Sequence, residues 1–228
     1  MNLKKTITSL SLGLLLATSV AGVSAQESTA GVLGDATATE CATDIGTAEV
    51  PENATGYVVT SDESQASFTV TEELAGSGVT DAVGTTNAVI GTLLVDADGN
   101  PLACSRIDVD LRTLVTDESR RDARIQEALN TTENPVATFI VTEITGLDAP
   151  LEEGVETQLT LVGNLTINGV EKQVSWDATV TLQDGSITGT ATTVIQFDEF
   201  EVEKPVLGPV MSIEDDVTLT IDLVAAAQ

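Results

Sequence analysis

The sequence predicts an all-β fold: about eight antiparallel strands in one domain, closed as a barrel or stacked as a sandwich, with one short helix. Three observations carry this expectation. Apolar residues recur at every second position in run after run from Tyr57 onward, Asn-Gly and Asp-Gly pairs stand between neighbouring runs, and a single segment has helical spacing.

The chain opens with Met1-Asn2-Leu3-Lys4-Lys5, continues through an apolar stretch from Leu10 to Val23, and reaches Val23-Ser24-Ala25 before Gln26. A basic start, an apolar core and small residues at the cleavage point make residues 1–25 a secretory signal. The stretch is shorter than the roughly 18 to 20 residues that span a bilayer, so no stable membrane span is expected after cleavage. A secreted or periplasmic destination follows. Residues 26–53 are rich in Ala, Thr, Gly and acid with little periodicity, which predicts a flexible leader. Residues 54–228 form the expected domain. Cys41 and Cys104 are the two cysteines; in an oxidising compartment one disulfide is the economical reading, and it would pin the leader to the domain.

Within the domain, charge alternates with apolar residues in Ile107-Asp108-Val109-Asp110-Leu111, which requires one buried face. Asp117 to Leu129 breaks the period-two pattern. It has helix formers, a capping-type start, and Ile125 and Leu129 four apart on one face. Strand texture resumes with Leu159, Leu161, Leu165 and Ile167, and Asn168-Gly169 turns this run into Val174–Leu182. Asp184-Gly185 turns that run into Ile187–Thr190, and Val217, Leu219, Ile221 and Leu223 close the domain with Thr218, Thr220 and Asp222 on the opposite face.

Composition excludes more chemistry than it suggests. Histidine is absent, so Ser-His-Asp and Cys-His nucleophile arrangements and His-bearing metal sites are ruled out. No catalytic residues, cofactor or metal site are expected. Glycine-rich phosphate or dinucleotide loops are missing. Asp96-Ala97-Asp98-Gly99-Asn100 lacks EF-hand spacing and reads as a hairpin loop. The formal net charge of −27 makes nucleic acid a poor partner. The acidity itself has two readings, a saline habitat and plain solubility.

Several blocks, in order, resemble the YceI-like family. They are Ser67-Phe68-Thr69-Val70, Arg121-Asp122 after Leu111 and Thr116, Asn134-Pro135-Val136-Ala137-Thr138-Phe139, and above all Gly163-Asn164-Leu165-Thr166-Ile167-Asn168-Gly169-Val170. The resemblance runs from about Tyr57 to Ala225. It implies an eight-stranded lipocalin-like antiparallel barrel and, as partner, an isoprenoid or other lipid chain. The chain departs from the family pattern in lacking a His within Thr71-Glu72-Glu73-Leu74, in having Arg124 where a second His is common, and in the block Gln196–Glu201.

In such a barrel, inward residues alternate along each strand and line a narrow lumen. The lumen candidates are Phe68, Val70, Phe139, Val141, Leu161, Leu165, Ile167, Val174, Trp176, Val180 and Phe197. Arg121 and Asp122 are expected to orient the helix and its loop. A secreted interaction domain with a self-filled barrel is the alternative, and whether the chain forms a homodimer is left open.

Overall fold

The structure, a computed structural model, describes residues 41–42, 44–205, 208 and 210–228. The predicted signal and leader residues 26–40 therefore lie outside the described residues.

Among the described residues, ten strands and one α-helix follow in order: β1 (Ala54–Val59), β2 (Gln65–Leu74), β3 (Gly78–Thr86), β4 (Val89–Asp96), β5 (Arg106–Asp110), α1 (Ser119–Ala128), β6 (Val136–Thr145), β7 (Glu156–Ile167), β8 (Val170–Gln183), β9 (Ser186–Gln196) and β10 (Val210–Ala227). All strand pairings are antiparallel. The ring runs β1-β4-β5-β6-β7-β8-β9-β10 and closes through Tyr57↔Ala227 and Val59↔Ala225. Eight strands thus make a closed barrel. The β2–β3 hairpin adds two more, because β10 is long enough to pair with β1 at its end and with β2 along the rest, from Asp222↔Gln65 onward.

Serine chemistry makes the corner between β1 and β2. Thr60–Ser64 leaves the ladder as a turn, and Ser64 Oγ takes over, accepting from Val224 N at 3.1 Å and donating to Thr60 O at 2.9 Å. Asn87, at the bend between β3 and β4, donates to Ser64 O at 2.7 Å, so both bends are stitched at one point. A buried backbone pair stripped of its strand partner is thereby satisfied by a side chain.

The two predicted tight hairpins are present. Asn168 and Gly169 have φ of 52° and 77°, and Asp184 and Gly185 have 53° and 74°, the paired positive values that match the twist of the flanking strands. The helix also lies where its spacing placed it. Glu118 caps it, accepting from Arg120 N, and Ile125 is its buried residue. At Asp96 the loop carboxylate accepts from the backbone of Asp98 and Asn100 and from Asn100 Nδ2, which closes the turn on itself.

Cys41 and Cys104 are joined in a disulfide, with Cα atoms 5.2 Å apart. The residues after Cys41 lie against the outer face of β5. Asp108 there is 1% exposed and accepts from Arg106 Nε at 2.6 Å, Arg106 Nη2 at 2.9 Å, Thr138 Oγ1 at 2.6 Å and Gly46 N at 2.6 Å. Arg106 also donates to Ala42 O. Arg106 and Asp108, on either side of Ile107, are consequently buried as well, in a bidentate pair under Ala42 and Gly46.

Candidate functional site

The barrel interior holds two cavities stacked along its axis. The larger, of about 590 Å³, is lined from β2, β3, β5, α1, β6, β7, β8, β9 and β10, together with Phe197, Phe200, Val202, Pro205 and Gly208. The smaller, of about 80 Å³, lies toward β4 and Leu151. Strands β6 to β10 each pass from one to the other. On β7, Leu165 and Ile167 face the large cavity, and Leu159 and Leu161 the small one; on β10, Val210, Ile213, Val217 and Leu219 line the large cavity and Leu223 the small one.

Four side chains line both cavities: Ile107, Phe139, Trp176 and Ile221. They form the partition. Ile107 and Phe139 are direct cross-strand partners on β5 and β6, and the Phe139 and Trp176 rings meet at 5.6 Å between centroids, tilted by 52°. This tilted packing is the favourable arrangement for two aromatic quadrupoles. Trp176 is 2% exposed, and its buried Nε1–H has no hydrogen-bond partner among the described residues. Gly163 makes room for the ring: a Cβ there would stand 2.8 Å from Phe139 Cε2 and against Ile140 O. The glycine of the Gly-x-Leu-Thr block is thus a close-approach position.

Glycine also shapes the large cavity. Gly84 on β3 faces Phe68 on β2, and the Phe68 ring lies over it, so that a Cβ at Gly84 would collide with Phe68 Cε1 and stand 2.7 Å from Leu114 Cδ2. The ring therefore lies along the wall.

Charged lining residues gather at the end away from the partition. Asp117, Glu118, Arg120 and Arg121 come from the start of α1, and Glu72 faces them from β2. Glu72 is 4% exposed and accepts from Arg121 Nη2 at 2.8 Å, while Arg121 Nη1 donates to Asp117. Asp122 accepts from Thr116 N and Thr116 Oγ1, both at 2.7 Å, fixing the loop that enters the helix. The other cover is the segment after β9. Phe200, 1% exposed, packs into the cavity wall, and Asn168 of the β7–β8 hairpin donates to the carbonyls of Phe200 and Glu201.

Of the lumen candidates, Phe68, Val70, Phe139, Leu165, Ile167, Trp176 and Phe197 line the large cavity. Val141, Leu161 and Val180 line the small one, and Val174, half-buried against the core, lines neither. Sequence reasoning missed Leu111, Leu114, Ile125, Leu129, Phe200 and, on β10, Ile213, Val217, Leu219 and Ile221 as lining, and Glu72 as a buried carboxylate. The period-two pattern of Val217 to Ile221 was itself a signal for inward residues.

The YceI-like domain profile matches residues 57–225. The chain belongs to the YceI-like domain family. Among solved structures it is similar to a polyisoprenoid binding domain from Saccharophagus degradans, at 16% identity and TM-score 0.61, covering 75% of this chain and 98% of that one. It is likewise similar to BcnA of Burkholderia cenocepacia, at 18% identity and TM-score 0.59, covering 74% and 99%. A Campylobacter jejuni YceI protein matches at 18% identity and TM-score 0.51, covering 64% and 84%. At these identities the likeness concerns the fold. No curated protein sequence matches the chain. Among the described residues, no helix is long and apolar enough to cross a membrane.

Proposed function

We propose that this protein is an exported, non-catalytic carrier that encloses the apolar chain of a polyisoprenoid or similar lipid in its large barrel cavity. The observation that carries the reading is that cavity: about 590 Å³ walled by aliphatic and aromatic side chains, with ionised groups confined to one end. That volume falls within the range of small-molecule sites, and transfer of an apolar chain out of water is worth roughly 25 cal/mol per Å² buried. Membership of the YceI-like family and the binding named for the Saccharophagus degradans domain support the same ligand class. The disulfide and the signal-like first residues support export. The absence of histidine supports a role without acid–base chemistry.

The self-filled barrel describes only the part beyond the partition, where the cavity shrinks to about 80 Å³. Native mass spectrometry of freshly purified protein tests the carrier reading. A bound species of lipid mass, released by solvent extraction, is the expected result; repeatedly empty spectra, with no uptake of added isoprenoid, would overturn it.

A further inference from the structure

We propose that Ile107, Phe139, Trp176 and Ile221 act as a floor that sets how much of a bound chain the barrel can bury, and that the ligand lies with its polar end at Glu72 and Arg121. This rests on the lipid-carrier reading and deepens it to orientation and length selection.

The floor is defined by geometry. These four side chains come from four different strands, stand at one level of the barrel, and separate space on both sides. Two of them are a cross-strand pair and two are packed aromatic rings, so the partition is held from β5 through β6 to β8. Ile221 completes it from β10, opposite Ala66 of β2. The space behind is real but small, about 80 Å³ against about 590 Å³ in front.

A floor limits burial only if the other end of the ligand is also constrained. Glu72 lies six residues beyond Ala66 along β2, roughly 20 Å at the rise of an extended strand. There the wall changes from hydrocarbon to the Glu72–Arg121 pair. An amphiphile inserted head-first would take its polar group away from water and set it against Trp176 and Phe139, where the wall offers Trp176 Nε1–H and the hydroxyls of Ser67 and Thr220 but no charged group. Inserted tail-first, it keeps the polar group beside a guanidinium whose remaining N–H groups can donate. The tail then ends at the floor. Each added methylene improves binding until the chain touches Trp176 and Phe139, and further length must stay in solvent.

The test uses the full chain after signal removal, titrated with farnesol, geranylgeraniol and geranylfarnesol in competition and read by native mass spectrometry. For the unchanged protein, affinity rises with chain length and then reaches a plateau within this series. Trp176→Ala joins the two spaces and moves the plateau to a longer prenol, with about a tenfold gain for the first chain beyond the original limit. Adding Ala178→Leu, which refills the small space behind the floor, returns the plateau to its original place. If Trp176→Ala does not fold, Ile221→Ala gives the same displacement at smaller scale. A plateau that stays in place in a folded floor variant overturns the inference while leaving lipid binding intact. Failure of the unchanged protein to bind any of the three prenols overturns the carrier reading, and this one with it.

Discussion

Arg121 Nη2 donates to Glu72 Oε1 at 2.8 Å and thereby ties the helix that covers the cavity to the second strand of the wall. The carboxylate is 4% exposed, so that contact supplies the hydrogen bond its burial withholds from water. Breaking such a pair from one side costs more than removing both members, because a lone buried charge remains. Arg121→Leu should therefore destabilise the protein by about 3 kcal/mol in urea unfolding, and Glu72→Leu/Arg121→Leu should recover most of the loss. A double variant no more stable than Arg121→Leu would show that the pair does not work as a unit.

Phe68 and Gly84 make a second dependent pair. The ring lies over the glycine, and this leaves the cavity beside it open. Gly84→Ala places a methyl group where the ring now lies, forcing Phe68 to stand into the cavity. The overpacking should cost about 1 to 3 kcal/mol. The distinctive result is functional: affinity for geranylgeraniol should fall about tenfold, and Phe68→Ala in the same background should restore it. Uptake that is equal in Gly84→Ala and the unchanged protein would mean that the ring escapes elsewhere.

How much of this was legible in the sequence can be judged at individual residues. Asn168-Gly169 and Asp184-Gly185 announced two hairpins because few other dipeptides accept two positive φ values, and those hairpins align β7, β8 and β9. Ile125 and Leu129 revealed the helix by their spacing, and the family blocks gave the barrel. Less visible were features that depend on distant partners. The alternation around Asp108 required burial only of the face that carries Ile107 and Val109. Asp108 itself is buried because Gly46, more than sixty positions earlier, lies against it and because Arg106 sits on the same face. The bends at Ser64 and Asn87, which turn two strands into four, leave no signal in a period-two pattern that resumes on either side. Inward and outward residues could be separated along each strand, but a residue's height along the axis could not. Hence Val141, Leu161 and Val180, chosen together with Phe68 and Leu165, belong to a different cavity from theirs.

The Cys41–Cys104 disulfide closes a loop with a sequence separation of 63, which contains the first four strands. In the chain-entropy account, opening a loop of this length costs about 4 kcal/mol. Reduction should also loosen residues 41–46 from β5, so that Gly46 N and Ala42 O leave Asp108 and Arg106. Urea unfolding with and without reductant measures the first effect, and hydrogen exchange at Gly46 the second. Matching midpoints in the two conditions would show that the bridge contributes nothing to stability.

Acidity should give the protein an optimum below neutral pH, and two effects of opposite sign set its position. At pH 7 the formal net charge is −27, and self-repulsion of this size disfavours the compact state; as pH falls toward the isoelectric point near 4.1, the repulsion weakens and stability rises. Against this stand two carboxylates held below their ordinary value of 3.8: Asp96, chiefly by the hydrogen bond from the Asn100 side chain, and Asp110, chiefly by that from Arg112. A carboxyl with a lowered pKa in the folded state stabilises above its unfolded value, and that contribution disappears as pH falls through the lower, folded value. The unfolding midpoint at low salt should thus climb mainly below about pH 5.5, where carboxylates begin to protonate and no histidine titrates earlier, and drop below about pH 4. In molar salt, where the Debye length is roughly 3 Å, the climb should flatten because repulsion is screened, while the drop remains because Asp96 and Asp110 are held by direct hydrogen bonds. Thermal melts across this pH range at two salt concentrations decide the matter, and a climb of equal size in both would remove long-range repulsion as its cause.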